Sequence, residues 1–305
     1  MISNLSAPFG PLVTAMVTPF GEDSSVDLKA VEHIVAHLIA TGSTAVVVTG
    51  TTGESPTLDD NERKVLYRLV KEKAHGKIKV LAGVGTNSTA KTIKYAHLAE
   101  GCGADGLLIV TPYYNKPPQA GLVKHYQEIA KNTNLPIMLY NVPGRTSVNL
   151  GVDATIEIAE TCSKVVALKD STGSTDQTAE MAGKIKRKDF WIYTGDDYLT
   201  LPHLAVGGAG VVSVASHLVG RKMTEMMESF FKGDYDQARK IHYECLPLFK
   251  GLFAAPNPTC VKHALSKIGL CKSTLRLPLI PLTSEEQKKL EAIMEKSPID
   301  VLNRL

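Results

Sequence analysis

The 305-residue sequence has no stretch near the ~18 consecutive apolar residues of a membrane-spanning helix. It has no C-x-x-C pair, and its five cysteines (Cys102, Cys162, Cys245, Cys260, Cys271) are widely spaced and odd in number. That excludes a disulfide framework and reads as free thiols packing as small hydrophobes in a reducing compartment. Glycine (24) and proline (16) are too sparse for a collagen-like or low-complexity chain. Charge of one sign is scarce too: 34 Lys and Arg against 31 Asp and Glu leave a net +3. The densest basic cluster, Lys184, Lys186, Arg187 and Lys188, reads as a solvated helix end, not a nucleic-acid stripe. What is present is apolar material, 44% of residues with 21% charged, which excludes disorder and supplies a large core. Met1-Ile2-Ser3-Asn4 lacks the positive-then-apolar order of a signal peptide, so the expected location is cytoplasmic, with neither membrane nor nucleic acid as partner.

The apolar residues are organised as a repeated unit. Short β-branched runs at 12–17, 45–49, 80–83, 106–110, 137–140, 165–169, 191–194 and 210–214 alternate with helix-period segments. The runs are continuous, as parallel strands covered on both faces require. Asp27 stands as an N-cap before the stripe Leu28, Val31, Val35 and Leu38; Thr57 precedes Asp59, Asp60 and Glu62 ahead of Val65, Leu66, Leu69 and Val70. Gly42, Gly76 and Gly101 are placed to stop the first three helices. Eight such units with no interrupting hairpin predict an α/β fold, a (β/α)8 TIM barrel, more readily than a doubly wound open sheet. After Gly233 the strands stop, and 235–249, 259–268 and 284–295 read as helices. The expected division is a barrel over 1–232 and a C-terminal helical region over 233–305, without a Gly/Ser linker.

In such a barrel the chemistry sits where strands end. Lys169 closes Val165-Val166-Ala167-Leu168, and a period of two puts Val165, Ala167 and Lys169 on one face. An inward lysine there would be desolvated, which lowers an amine's pKa and makes it a nucleophile; otherwise it snorkels to the rim or pairs with Asp170. Tyr140 ends the adjacent strand, where a phenol suits proton transfer, although alone it reads as a half-buried tyrosine with a satisfied hydroxyl. Thr51 and Thr52 lie between Gly50 and Gly53, in a turn able to bind a small carboxylate or simply to reverse the chain. Arg145, in a Pro-Gly loop, suits a second carboxylate or open solvent.

Gly50-Thr51-Thr52-Gly53-Glu54, Tyr140-Asn141-Val142-Pro143-Gly144-Arg145 and Lys169-Asp170-Ser171-Thr172-Gly173 together resemble the signatures of the dihydrodipicolinate synthase/N-acetylneuraminate lyase family. Thr111-Pro112-Tyr113-Tyr114-Asn115, Gly195-Asp196-Asp197, Gly210-Val211-Val212-Ser213-Val214, Pro256-Asn257-Pro258 and Leu275-Arg276-Leu277-Pro278 extend the likeness over almost the whole chain. The family comprises Schiff-base aldolases, and the Tyr-Tyr-Asn loop and Arg145 resemble its synthase branch more than its sialic acid lyases. The resemblance implies a lyase condensing pyruvate with aspartate 4-semialdehyde, on the route to diaminopimelate and lysine. It implies that Lys169 forms the Schiff base and that Tyr140, Thr51 and Tyr114 relay protons, Tyr114 from a neighbouring subunit. It also implies that Thr51 and Thr52 hold the pyruvate carboxylate with backbone near Gly195 and Val212, and that Arg145 binds the semialdehyde carboxylate. No metal and no cofactor is needed, since the lysine supplies the electrophile. A homotetramer built as a dimer of dimers is the implied assembly.

Two alternatives stand beside this reading: a lyase of the same family acting on another aldehyde, and a non-catalytic barrel relative. At the place of the family's lysine-feedback site the chain keeps Ser55, Asn87 and Tyr113 but has Pro56, Asp60, Arg63 and Lys91, which reverses the electrostatics and predicts weak or absent inhibition by lysine. His33 and His37, four apart on the first helix, are expected on a solvated face and not around a metal. Gly83-Val84-Gly85-Thr86-Asn87-Ser88 reads as a strand-end turn, since half a dinucleotide fingerprint lacks its third glycine.

Overall fold

Eight parallel strands pair in sequence order and close on themselves, β1 hydrogen-bonding both β2 and β8. The computed structural model describes residues 7–301, so the opening Met1-Ile2-Ser3-Asn4 lies outside it. The elements are β1 (Leu12–Ala15), α1 (Leu28–Ala40), β2 (Ala45–Val48), α2 (Asp60–Ala74), β3 (Lys79–Gly83), α3 (Thr89–Glu100), β4 (Gly106–Val110) and α4 (Gln119–Lys131). They continue with β5 (Ile137–Asn141), the single turn α5 (Pro143–Thr146), α6 (Val152–Thr161), β6 (Val165–Asp170), α7 (Thr175–Lys184), β7 (Trp191–Thr194), α8 (Thr200–Ala205), β8 (Gly210–Ser213) and α9 (Ser216–Lys232). Three further helices follow: α10 (Tyr235–Gly251), α11 (Thr259–Lys267) and α12 (Ser284–Met294). The units are less equal than the sequence suggests, because a one-turn helix intervenes after β5 and α8 spans only six residues. No helix among the described residues is long and apolar enough to cross a membrane.

Strand alternation sorts the apolar residues into two layers. Val13, Val47, Leu81, Leu108, Met138, Ala167 and Val212 fill the barrel interior. Leu12, Val46, Val80, Leu107, Ile137, Leu168 and Val211 face outward against the helices, in a layer that runs on into Ala238, Ile241, Cys245 and Leu248 of α10. Full burial of each such side chain contributes about 1.5–3 kcal/mol. One strand breaks the alternation. Val165 pairs with Ile137, but the next partners are Ala167 and Met138, so Val166 is skipped. This irregularity sends Val165 to the outer layer while Ala167 remains inside, so Val165 does not share a face with Lys169 as a strict period of two predicts.

Helix ends follow their local chemistry. The Asp27 carboxylate accepts from the Ala30 N–H, and Asp59 with Glu62 forms a reciprocal capping box on α2. Gly42 and Gly76 take left-handed φ of +98° and +70° beyond α1 and α2. Gly101 is the C-cap of α3, as expected, but with a right-handed φ of −66°, and the left-handed turn falls on Gly103 at +80°. Two further expectations are corrected. His37 is buried and its Nε2 lies 2.9 Å from the His217 carbonyl oxygen, so only His33 occupies the solvated face. Arg187 is not a solvated helix end. Its guanidinium donates to the carbonyls of Ala159, Cys162, Ser163 and Val165 and pairs with Asp189, filling the place where α6 hands over to β6.

Candidate active site

Lys169 and Tyr140 are register partners on neighbouring strands at the carboxyl-terminal end of the barrel. Both side chains are buried, 6% exposed each, and the Lys169 Nζ stands 4.2 Å from the centre of the Tyr140 ring. The pairing with Asp170 weighed from the sequence is absent. That carboxylate accepts from the Thr172 N–H at 2.9 Å and the Thr178 hydroxyl at 3.0 Å, so it organises its own loop. Gly195 explains how the lysine is accommodated. A Cβ there would come within 2.6 Å of Lys169 Cε and nearer still to Ser171 Oγ, so only glycine lets the lysine stem lie across the end of β7. The Gly195 N–H is already donated to the Asp170 carbonyl at 2.7 Å, which leaves its carbonyl for a ligand.

A cavity of about 360 Å³ opens at this end of the barrel. Thr51, Tyr140 and Arg145 line it, with Arg63, Lys91 and Tyr113. Its lining residues include three cations and no carboxylate, a composition suited to acidic ligands. Lys169 is not among the lining residues, but Tyr140, whose ring it contacts, is. Val212 lies fully buried in the interior. Thr52 is 2% exposed, and its hydroxyl oxygen accepts from Asn257 Nδ2 at 2.9 Å. Among the described residues the backbone N–H groups of Thr51 and Thr52 have no acceptor. Tyr114 is the outlier: 88% exposed, absent from the cavity wall, and held at a left-handed φ of +72°. Such backbone strain persists at sites where surrounding structure imposes it.

Beside Lys169, burial pushes the Asp196 carboxyl up to about 6 against the attraction of the lysine, with Asp197 and Asp170 adding repulsion. A raised carboxyl pKa means stability that is complete below the unfolded value and is lost as pH rises through about 6. Asp196→Asn is therefore expected to melt above the native chain at pH 7.5, by the equivalent of about 3 kcal/mol at most, and level with it below pH 4. Thermal melts at both pH values check this, and equal melting at pH 7.5 would contradict it. Asp197 is fully buried and accepts from the Ser213 hydroxyl and the Val214 and Ala215 N–H groups, fixing the turn beyond Val212.

The feedback region is rearranged relative to expectation. Arg63 turns inward, Nη2 donating to the Ser55 carbonyl (2.5 Å) and hydroxyl (2.8 Å), with its guanidinium 4.6 Å over Tyr95. Asp60 is occupied by Lys94 at 2.6 Å. Lys91, 5.6 Å over Tyr95, keeps its ammonium on that wall with neither a side-chain hydrogen bond nor an ion pair among the described residues.

The sequence reading passed over the buried pair beneath the Thr51-Thr52 turn. Lys262, fully buried, donates to Glu54 at 2.6 Å, and Asn257 reaches Thr52 from the same helical region. A signal existed: Lys262 interrupts the apolar run Cys260, Val261, Ala264 and Leu265 of α11, and a lysine there demands a buried partner. Among the described residues no group of three or more His, Cys, Asp or Glu side chains gathers as a metal site.

Residues 8–297 match the profile of the dihydrodipicolinate synthetase family. The 4-hydroxy-tetrahydrodipicolinate synthase 1 of Halalkalibacterium halodurans is 51% identical over 282 residues, spanning 92% of this chain and 95% of the relative. The solved dihydrodipicolinate synthase of Bacillus anthracis superimposes with a TM-score of 0.93 at 44% identity, covering 95% of this chain and 99% of that one. The Cyanidioschyzon merolae enzyme, solved with lysine bound, gives a TM-score of 0.93 at 43% identity over 95% of this chain and 99% of its own. With likeness of this extent in both sequence and backbone, the chain belongs to the dihydrodipicolinate synthetase family.

Proposed function

We propose that the chain condenses pyruvate with aspartate 4-semialdehyde to 4-hydroxy-tetrahydrodipicolinate, and that Lys169 carries the reaction. The activity is that of a lyase at the entry to diaminopimelate and lysine synthesis. The observation that supports the site assignment is the buried Lys169 amine over the Tyr140 ring, beside a cavity with cations and no carboxylate on its wall. The Lys169 amine attacks the ketone carbon of pyruvate and water leaves, giving an imine. Loss of a methyl proton gives the enamine, whose carbon bonds to the aldehyde carbon while the aldehyde oxygen takes up a proton. The substrate's own amine then displaces Lys169, which closes the ring and returns the lysine free. One water is released overall and no redox equivalent is consumed.

The roles of the surrounding groups follow from that sequence. Tyr140 and Thr51 hand on the protons that the imine and enamine steps release, with Tyr114 of a neighbouring copy completing the relay. The unused N–H groups at Thr51 and Thr52 take the pyruvate carboxylate, with backbone near Gly195 and Val212 closing the site around the rest of the molecule. Arg145, exposed at the cavity, takes the semialdehyde carboxylate. The assembly we infer is a homotetramer of paired dimers, located in the cytoplasm, where the five unpaired thiols would stay reduced. A fully active monomer would contradict the role given to Tyr114.

Arg145→Ala tests the substrate assignment. A charge-assisted hydrogen bond lost from one carboxylate costs on the order of 10- to 100-fold. The KM for aspartate 4-semialdehyde is expected to rise by that factor while borohydride still traps pyruvate on the variant; unaltered use of the semialdehyde would contradict the assignment. Lysine itself is expected to inhibit weakly or not at all, because Lys91 repels an ammonium at the cavity wall. Half-inhibition at sub-millimolar lysine in a steady-state assay would contradict this.

A further inference from the structure

Two glycines bracket Thr51-Thr52, and a turn that presents N–H groups to an anion works only if they are held in place. Within the barrel the Gly53 and Ser55 N–H groups close the turn on the Gly50 carbonyl and the Thr18 hydroxyl donates to the Gly53 carbonyl; the Thr52 side chain and Glu54 are held from outside it. Asn257, on the segment before α11, donates through Nδ2 to Thr52 Oγ1 across 205 residues of sequence. That bond uses a lone pair of the Thr52 oxygen and leaves its O–H to act as a donor. Two residues on, Glu54 sits at a left-handed φ of +52°, which a residue with a Cβ adopts at a cost. Its two oxygens accept from Lys262 Nζ at 2.6 Å and from the Arg276 N–H at 3.0 Å. The Arg276 guanidinium then forks onto Glu62 and donates to the Thr57 and Ser24 carbonyls, closing the far side of the same loop. Lys262 and Arg276 both pack on the Phe20 ring, at 4.1 and 4.3 Å from its centre.

We propose that the helical region after the barrel sets the geometry of the pyruvate-carboxylate turn, with Asn257 and Lys262 as positioning residues. Neither residue needs to touch substrate; both act through Thr52 and Glu54. The inference rests on the reading that Thr51 and Thr52 hold the pyruvate carboxylate, so the experiment separates the two. Its readout is the KM for pyruvate against the KM for aspartate 4-semialdehyde in Asn257→Ala and in the paired variant Glu54→Gln/Lys262→Met. The pair removes both buried charges together, so that neither is left unmatched should the first variant fail to fold. A selective rise in the pyruvate KM, on the order of 10-fold in either folded variant, is expected. A purely structural role would move both KM values together or neither, and an unchanged ratio in the folded variants would overturn the proposal. Failure of the native chain itself to bind pyruvate would instead overturn the assignment of the turn.

Discussion

Lys169→Ala is expected to remove condensation activity by on the order of 10⁴-fold or more while leaving the fold intact. The nucleophile is not replaceable from nearby: the other lysine at the cavity, Lys91, stands over Tyr95 and not over Tyr140. The fold should survive because Lys169 makes no ion pair within 4 Å among the described residues, so its loss breaks no direct pair and takes from Asp196 and Asp197 only a longer-range attraction. Steady-state product formation and a thermal melt check the two halves separately. Residual activity within about ten-fold of native would remove Lys169 from the mechanism.

The second large effect is on stability. Lys262→Met deletes the cation from a pair in which both side chains are essentially inaccessible to water. The Glu54 carboxylate would then remain buried with only the Arg276 N–H as a direct partner and the more distant Arg276 guanidinium as countercharge. Breaking a buried pair from one side costs about 3–5 kcal/mol, whereas replacing both partners by neutral groups of similar volume costs far less. Chemical denaturation should therefore rank native and Glu54→Gln/Lys262→Met close together, with Lys262→Met well below. Equal stability of the single and paired variants would mean that the charges are not coupled as the 2.6 Å contact requires.

Most of the architecture was legible because a barrel strand buried on both faces must be apolar throughout, and eight such runs stand out in the chain. What escaped was what periodicity does not encode. The bulge that turns Val165 outward depends on the pairing of β6 with β5, information held by two strands together. His37 looked solvated by its helix spacing, but the His217 carbonyl that claims it comes from 180 residues away. Arg187 belonged to a basic cluster in sequence, and only the converging carbonyls at the α6–β6 junction make it a half-buried structural donor.

The candidate site divides in the same way. Lys169, Tyr140, Thr51 and Arg145 were visible as strand-end residues, and the structure brings the last three onto one cavity with Lys169 against the Tyr140 ring. Tyr114 stays outside that cavity within a single chain, so the role proposed for it requires a second copy. The supports under the Thr51-Thr52 turn were not visible, since Asn257 and Lys262 lie more than 200 residues downstream in a region without strand ends. A glycine-bracketed turn advertises itself locally; the groups that stiffen it do not.

The most direct measurement is the intact mass of the native chain after incubation with pyruvate and borohydride, followed by peptide mapping of any adduct. The account predicts one reduced pyruvyl group per chain, located on Lys169. No adduct, or an adduct on any other lysine, would contradict it.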